Sequence, residues 1–318
     1  MSATSSQSTS RLRRQSWRGL KAPVKRVLSL PGVHAVMRTV APHWRRPLDL
    51  SRLPAPSGVK HVQADMAGVR FDMLRPDRCI LAKELYWGAG SRPKPQDQLA
   101  LDVFAAMGQD ADLVLDVGAY TGIFSLLAAR SSASATVHAF EVVPTVFLAA
   151  WQNVIHNDLV GRVSVHLCGV GAEDSSVRMP TGEGGSALPD YLSTDMGFEV
   201  GVAVPIRSLD GVGREVGGAG PFRRVLMKVD VEGRELDVFE NGTTFLGQHH
   251  PDIVCEVLPD ADGKALTGLL RSLGYRFYLV EATSLTEHDE ISGHPDYRDW
   301  LFTRAAAAEL TARGVPVG

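Results

Sequence analysis

Two glycines bracket a turn in LVLDVGAYTG, which places Asp116, Gly118, Tyr120 and Gly122 where a short apolar strand gives way to a helix. Glycine lets the backbone turn sharply and approach a ligand closely. The free N–H groups at a helix start favour a carboxylate or phosphate. The spacing is GxxxG rather than GxGxxG, which disfavours a nicotinamide dinucleotide. Glu141 follows Gly118 by 23 residues, at the end of the apolar run TVHAFEV. An acid at this spacing suits a ribose diol, two acceptor oxygens facing two hydroxyls. A plain strand-to-helix turn and a surface glutamate beside Pro144 explain either feature alone; together they point to a cofactor cleft.

A second constellation is Lys228, Asp230 and Glu232, just before Gly233. Alternate residues share a face of a strand, and three charges ending an apolar strand are costly unless paired or used. Glu256, in CEV, is a further carboxylate expected at the same rim. The plainer reading is a structural lysine–carboxylate pair with a helix cap.

These residues need elements to place them. Residues 60–75 read as two short strands around Ala67-Gly68, and 97–107 as a helix. From 113 onward strands and helices alternate. Strands are expected at 113–119, 136–142, 162–170, 224–232, 252–258, 275–282 and 299–304. Helices are expected at 122–130, 144–157, 234–246, 263–273 and 305–313. SSVRMP and EVGVAVPIRSL read as antiparallel strands around a glycine-rich loop, with Gly182-Glu-Gly-Gly185 either a lid or an ordinary hairpin loop. Such alternation implies an α/β fold, a mostly parallel sheet covered on both faces. Ligands then bind beyond the carboxyl ends of the strands, near the switch in strand order. The chain divides into an arm (1–58), a hairpin and helix packing on the core (59–112) and the α/β domain (113–318).

The 318 residues are 44% hydrophobic and 22% charged, an ordinary globular composition. No stretch approaches the ~18 apolar residues of a membrane span. Cys79, Cys168 and Cys255 are scattered and form no CxxC pair, so no disulfide framework or zinc knuckle is signalled and a cytosolic compartment is expected. His138, His156 and His166 show no ligand spacing, and no histidine-based metal centre is expected. Residues 1–48 hold ten Lys/Arg and no acid, leaving 23 basic and 36 acidic groups in the other 270 residues. The arm reads as a solvated basic extension or as a peripheral contact for an anionic membrane. The acidic body argues against nucleic acid as partner.

VLDVGAYTGIFSLLA, AFEVVP, PIRSLD, LMKVDVEGRELDVFENG and PDIVCEV occur in the order seen in the FkbM-type family of S-adenosylmethionine-dependent methyltransferases, which residues 66–304 resemble. DVEGRE beside DVGAYTG is the most specific part. The resemblance implies a class I methyltransferase fold, Rossmann-like, with a seven-stranded sheet whose last strand, DWLFTR, is antiparallel. It also implies methyl transfer, usually to a hydroxyl of a sugar, glycolipid or polyketide-like small molecule. Asp116, Gly118, Tyr120 and Gly122 would then hold the methionine end of S-adenosylmethionine. Glu141 and Val142 would hold the ribose, and Cys168 and Gly169 would line the adenine. One departure is that Glu141 is followed by Val-Val-Pro144, where the family commonly has Glu-Pro.

A neutral hydroxyl is a poor nucleophile, so a general base or a metal should help. Asp230 is the expected base, with Glu232 orienting it or the acceptor. The alternative puts Asp230, Glu232 and Glu256 around Mg²⁺, which favours oxygen ligands. Methylation of a nitrogen or a macromolecule, and a non-catalytic cofactor-binding module, remain competing functions.

Overall fold

The computed structural model describes residues 27, 32–40, 53–172, 175–181, 200–216 and 222–318. Most of the basic arm and the Gly182–Gly185 run lie outside the described residues. Of the arm, helix α1 (Val33–Val40) is described, and Val33 and Met37 pack partly buried on the core.

The central sheet carries its apolar residues on both faces, as a covered parallel sheet must. Strands β3 (Leu113–Val117), β4 (Thr136–Glu141), β5 (Val163–Leu167), β9 (Val225–Val229) and β10 (Asp252–Glu256) run parallel. Strand β13 (Asp299–Thr303) inserts antiparallel between β10 and β11 (Arg276–Val280). An eighth strand, β12 (Leu285–His288), is added at the edge, giving the order β12-β11-β13-β10-β9-β3-β4-β5. The expected seven strands are present with β13 antiparallel; β12 is the addition. Its LTEH sequence is too short and polar to announce a strand, and pairing with β11 supplies what its composition does not.

One face of the sheet is covered by α3 (Pro95–Gly108), α4 (Ile123–Ser131) and α5 (Pro144–His156), all contributing to one apolar cluster. The other face is covered by α6 (Leu209–Val216), α7 (Glu235–Glu240), α8 (Thr243–His249) and α9 (Gly263–Ser272). The final helix, α10 (Ala307–Ala312), follows β13 and buries Leu310. A single helix expected over 234–246 is two, because the chain turns at Gly242. A Cβ there would lie 2.4 Å from Leu209 Cδ2, so only glycine allows the approach.

Hairpin β1 (His61–Met66)–β2 (Val69–Leu74) turns at Ala67-Gly68, both with positive φ. Helix α2 (Ile80–Trp87), absent from the sequence expectation, follows it and is nearly all buried toward Trp87. Its signal was weak, since the helix starts on a cysteine. Cys79 Sγ accepts from Ala82 N and lies 3.3 Å from Thr121 Oγ1, tying α2 to the glycine turn. Hairpin, α2 and α3 share one continuous core with the sheet. A small second sheet, β6 (Gly169–Val170), β7 (Ser175–Met179) and β8 (Val202–Arg207), pairs β7 antiparallel to β8. The expected strand 162–170 is thus broken at Cys168, where the chain passes from one sheet to the other. Among the described residues no helix is long and apolar enough to cross a membrane.

Candidate active site

Strand order reverses between β3 and β9, and a cleft of ≈ 1160 Å³ opens beyond their carboxyl ends. Its wall includes Gly118, Tyr120, Glu141, Val142, Gly169, Asp230, Glu232 and Glu256. Three expected site residues lie behind that wall. Asp116 is fully buried, and its Oδ2 accepts from Ser125 N (3.0 Å) and Ser125 Oγ (2.6 Å). It therefore holds the first turn of α4, and through it the glycine turn. Gly122 caps α4 in a left-handed conformation, φ 84°. Cys168 points its thiol into the core cluster under α6 and donates to Gly169 O; its neighbour Gly169 is on the cleft wall instead. Cys168, expected to line the adenine, lies off the cleft wall because the strand breaks at that residue.

The turn itself is held tightly. Gly118 has φ 81°, and a Cβ on it would lie 1.7 Å from Asp230 O. Gly118 N and Ala119 N donate to Phe140 O, and Asp230 N donates to Val117 O. The ends of β3, β4 and β9 are thus tied to one another. Glu141, only 7% exposed, accepts from Tyr120 N (2.9 Å) and Val143 N (2.8 Å), one on each oxygen. Burial pushes its carboxyl up to about 7, against the pull of those N–H groups. Two oxygens so fixed at the wall match the donor pattern of a ribose diol. Gly169 leaves room for the chain to pass Ile206 and Val142, since a Cβ there would lie 2.4 Å from Ile206 Cδ1.

The charged end of the cleft is built around Lys228. It lies on the covered face of β9, 2% exposed, with Nζ 3.0 Å from Asp299 Oδ1 and 3.7 Å from Asp230 Oδ2. Phe124 places its ring 5.1 Å from the ammonium. Burial opposes the charge on Lys228, but Asp299, Asp230 and Glu256 outweigh it and hold the ammonium above its ordinary range. Asp299 was missed in the sequence. Its signal was its place at the start of an antiparallel strand, which lies at the carboxyl ends of the parallel ones.

Asp230, Glu232 and Glu256 bring carboxylate oxygens within 4.8 Å of one another. Glu232, on the cleft wall, adopts φ 53°, a left-handed backbone that is costly for a residue other than glycine. Burial, then the charge of Asp230, pushes Glu256 well above the usual carboxylate range, while Lys228 pulls it back down. Crowded carboxylates relieve their repulsion by sharing a proton or by holding a cation. Both suit this set, whose all-oxygen donors fit a hard divalent ion.

The model of the methyltransferase FkbM domain matches residues 116–277, half of the chain. The chain belongs to the FkbM methyltransferase family. Methyltransferase 1 of Beauveria bassiana (strain ARSEF 2860) is 33% identical over 187 residues, 52% of this chain and 73% of that one. The 31-O-demethyl-FK506 methyltransferase FkbM of Streptomyces tacrolimicus is 34% identical over 128 residues, 40% of either chain. A solved methyltransferase FkbM from Methylobacillus flagellatus KT matches with TM-score 0.38 and 17% identity, over 61% of this chain and 44% of that one. The matched residues of this FkbM family member contain the whole glycine turn, Glu141 and the three carboxylates.

Proposed function

We propose that this methyltransferase uses S-adenosylmethionine and methylates a hydroxyl oxygen of a sugar, glycolipid or polyketide-like small molecule. The observation that carries the reading is that Glu141 and the carboxylates of Asp230, Glu232 and Glu256 line one cleft at the switch in strand order. The name of the Streptomyces relative, a 31-O-demethyl-FK506 methyltransferase, supports an oxygen acceptor.

S-adenosylmethionine, when bound, supplies an electrophilic methyl carbon on a sulfonium. Glu141 would accept hydrogen bonds from the ribose, and the turn from Gly118 to Tyr120 would border the methionine end. The acidic end of the cleft favours a sulfonium cation over an anion. Asp230 would take the acceptor's hydroxyl proton as the oxygen attacks. Glu256, whose carboxyl is raised beside Asp230, would share a proton with Asp230 as the acceptor is deprotonated. Lys228 and Asp299 hold this end of the cleft in place, so that positioning supplies much of the rate.

A second reading is favoured by the closeness of the three carboxylates: Mg²⁺ held by Asp230, Glu232 and Glu256 would bind the acceptor oxygen and lower its pKa. One assay addresses both. Full-length chain, labelled S-adenosylmethionine and a panel of hydroxylated sugars, glycolipids and polyketides should give a methyl ether in the product. Label found only on nitrogen, RNA or protein would overturn the oxygen acceptor. Loss of turnover in EDTA, restored by Mg²⁺, selects the metal reading; unchanged turnover in EDTA removes it.

A further inference from the structure

His61, Asp72 and His156 come from three elements, β1, β2 and the last residue of α5, and converge at the surface of the hairpin. One ligand atom from each lies within 4.8 Å of the other two. His156 Nε2 is 3.3 Å from Asp72 Oδ2, and the rings of His61 and His156 have centroids 5.3 Å apart. The other oxygen, Asp72 Oδ1, is shut off from solvent and accepts no hydrogen bond. A buried acceptor without a partner is costly, and it belongs to the same carboxylate whose Oδ2 faces His156.

The backbone beneath this cluster is fixed. Asn157 Oδ1 accepts from Asp72 N (2.8 Å) and Asn157 Nδ2 donates to Asp72 O (2.7 Å). Asn153 Oδ1 accepts from Leu74 N (2.8 Å), and Asn153 Nδ2 donates to Thr121 O (2.8 Å). Asp72 and His156 are therefore held in register across two elements. The histidines themselves are exposed and can turn.

We propose that His61, Asp72 and His156 form a site for a divalent transition metal of the zinc type, which joins the hairpin to α5. Two imidazoles and one carboxylate are borderline donors. They suit Zn²⁺ and its neighbours, whereas Mg²⁺ and Ca²⁺ prefer all-oxygen sets. Metal–ligand bonds of ~2.0–2.2 Å place tetrahedral ligand atoms about 3.4 Å apart; His156 and Asp72 already meet this, and His61 must approach by up to about 1.4 Å. Rotation of the exposed His61 ring would provide this. Three protein ligands leave a fourth position for water. The site is separate from the cleft: α5 starts at Pro144 beside Glu141, and His156 lies about 18 Å further along the helix. Local spacing could not reveal it, because residues 61, 72 and 156 meet only in the folded chain.

The test is calorimetric titration of ZnCl₂ into the full chain without an affinity tag, with MgCl₂ as the comparison. The expected result is one Zn²⁺ per chain with Kd of about 1 μM or below, at least tenfold tighter than Mg²⁺ at the same site. His61→Ala and His156→Ala should each weaken it at least tenfold, and Asp72→Asn likewise. Glu256→Gln, which alters the cleft carboxylates, should leave it intact. Equimolar Zn²⁺ should raise the thermal midpoint of the wild type and not that of His61→Ala. No binding at ~100 μM Zn²⁺, binding unchanged in both histidine variants, or binding lost only in Glu256→Gln would each overturn the proposal.

Discussion

Asp230→Asn should lower kcat by about 10²–10⁴-fold while leaving cofactor affinity nearly unchanged, the signature of a lost general base. The substitution keeps size and removes the proton acceptor. The fold should tolerate it, because Lys228 keeps Asp299 at 3.0 Å as its nearer counterion. Glu256 also remains beside Lys228. Asp230 is half-exposed on the cleft wall, more so than Asp299 or Glu256, whereas the Lys228 side chain beside it is buried. Single-turnover rates and S-adenosylhomocysteine affinity, measured side by side, separate chemistry from binding. Near-normal turnover in Asp230→Asn would remove the base role and shift it to Glu232 or to a metal.

Gly118→Ala should be the most damaging small substitution in the glycine turn. Its Cβ would lie 1.7 Å from Asp230 O, a backbone atom that cannot swing away, and φ is 81°. Overpacking costs about 1–3 kcal/mol, and a left-handed alanine about 1 kcal/mol more. The strands would also be prised apart at the point that sets Asp230. Gly122→Ala is the internal control. Its φ is 84°, but the nearest atom to a new Cβ is Ala150 Cβ at 3.7 Å. It should cost only the backbone strain, about 1 kcal/mol. Denaturant unfolding of both variants reads the difference directly. Equal destabilisation would mean that the contact between the β3 and β9 loops is not as close as described.

The parallel part of this sheet was legible because its strands are short apolar runs separated by glycine turns and amphipathic helices. LVLDV, TVHAFE and DIVCE carry that pattern without help from distant contacts. The glycine turn and Glu141 were legible for the same reason, as strand ends in a fold that binds at strand ends. What was hidden depends on tertiary contacts. Strand β12 is polar and exists through its pairing with β11. The split between α7 and α8 follows from Leu209 pressing on Gly242. Cys168 turns inward because the chain leaves the main sheet at that residue. Asp299 could be placed only once β13 was known to start at the rim, opposite Glu256. The His61, Asp72 and His156 cluster needed the hairpin to dock on α5.

The most direct measurement is calorimetric titration of S-adenosylhomocysteine into the wild type and Glu141→Gln, at pH 6 and pH 8. In the free protein Glu141 is pushed up to about 7. It is therefore mostly protonated at pH 6 and mostly ionised at pH 8. Ribose hydroxyls donate best to the ionised form, so wild-type affinity should rise up to about tenfold between the two. Glu141→Gln should bind more weakly and with the same affinity at both pH values. Absence of binding by the folded wild type, or equal affinity of wild type and variant at both pH values, would contradict a cofactor site at the end of β4.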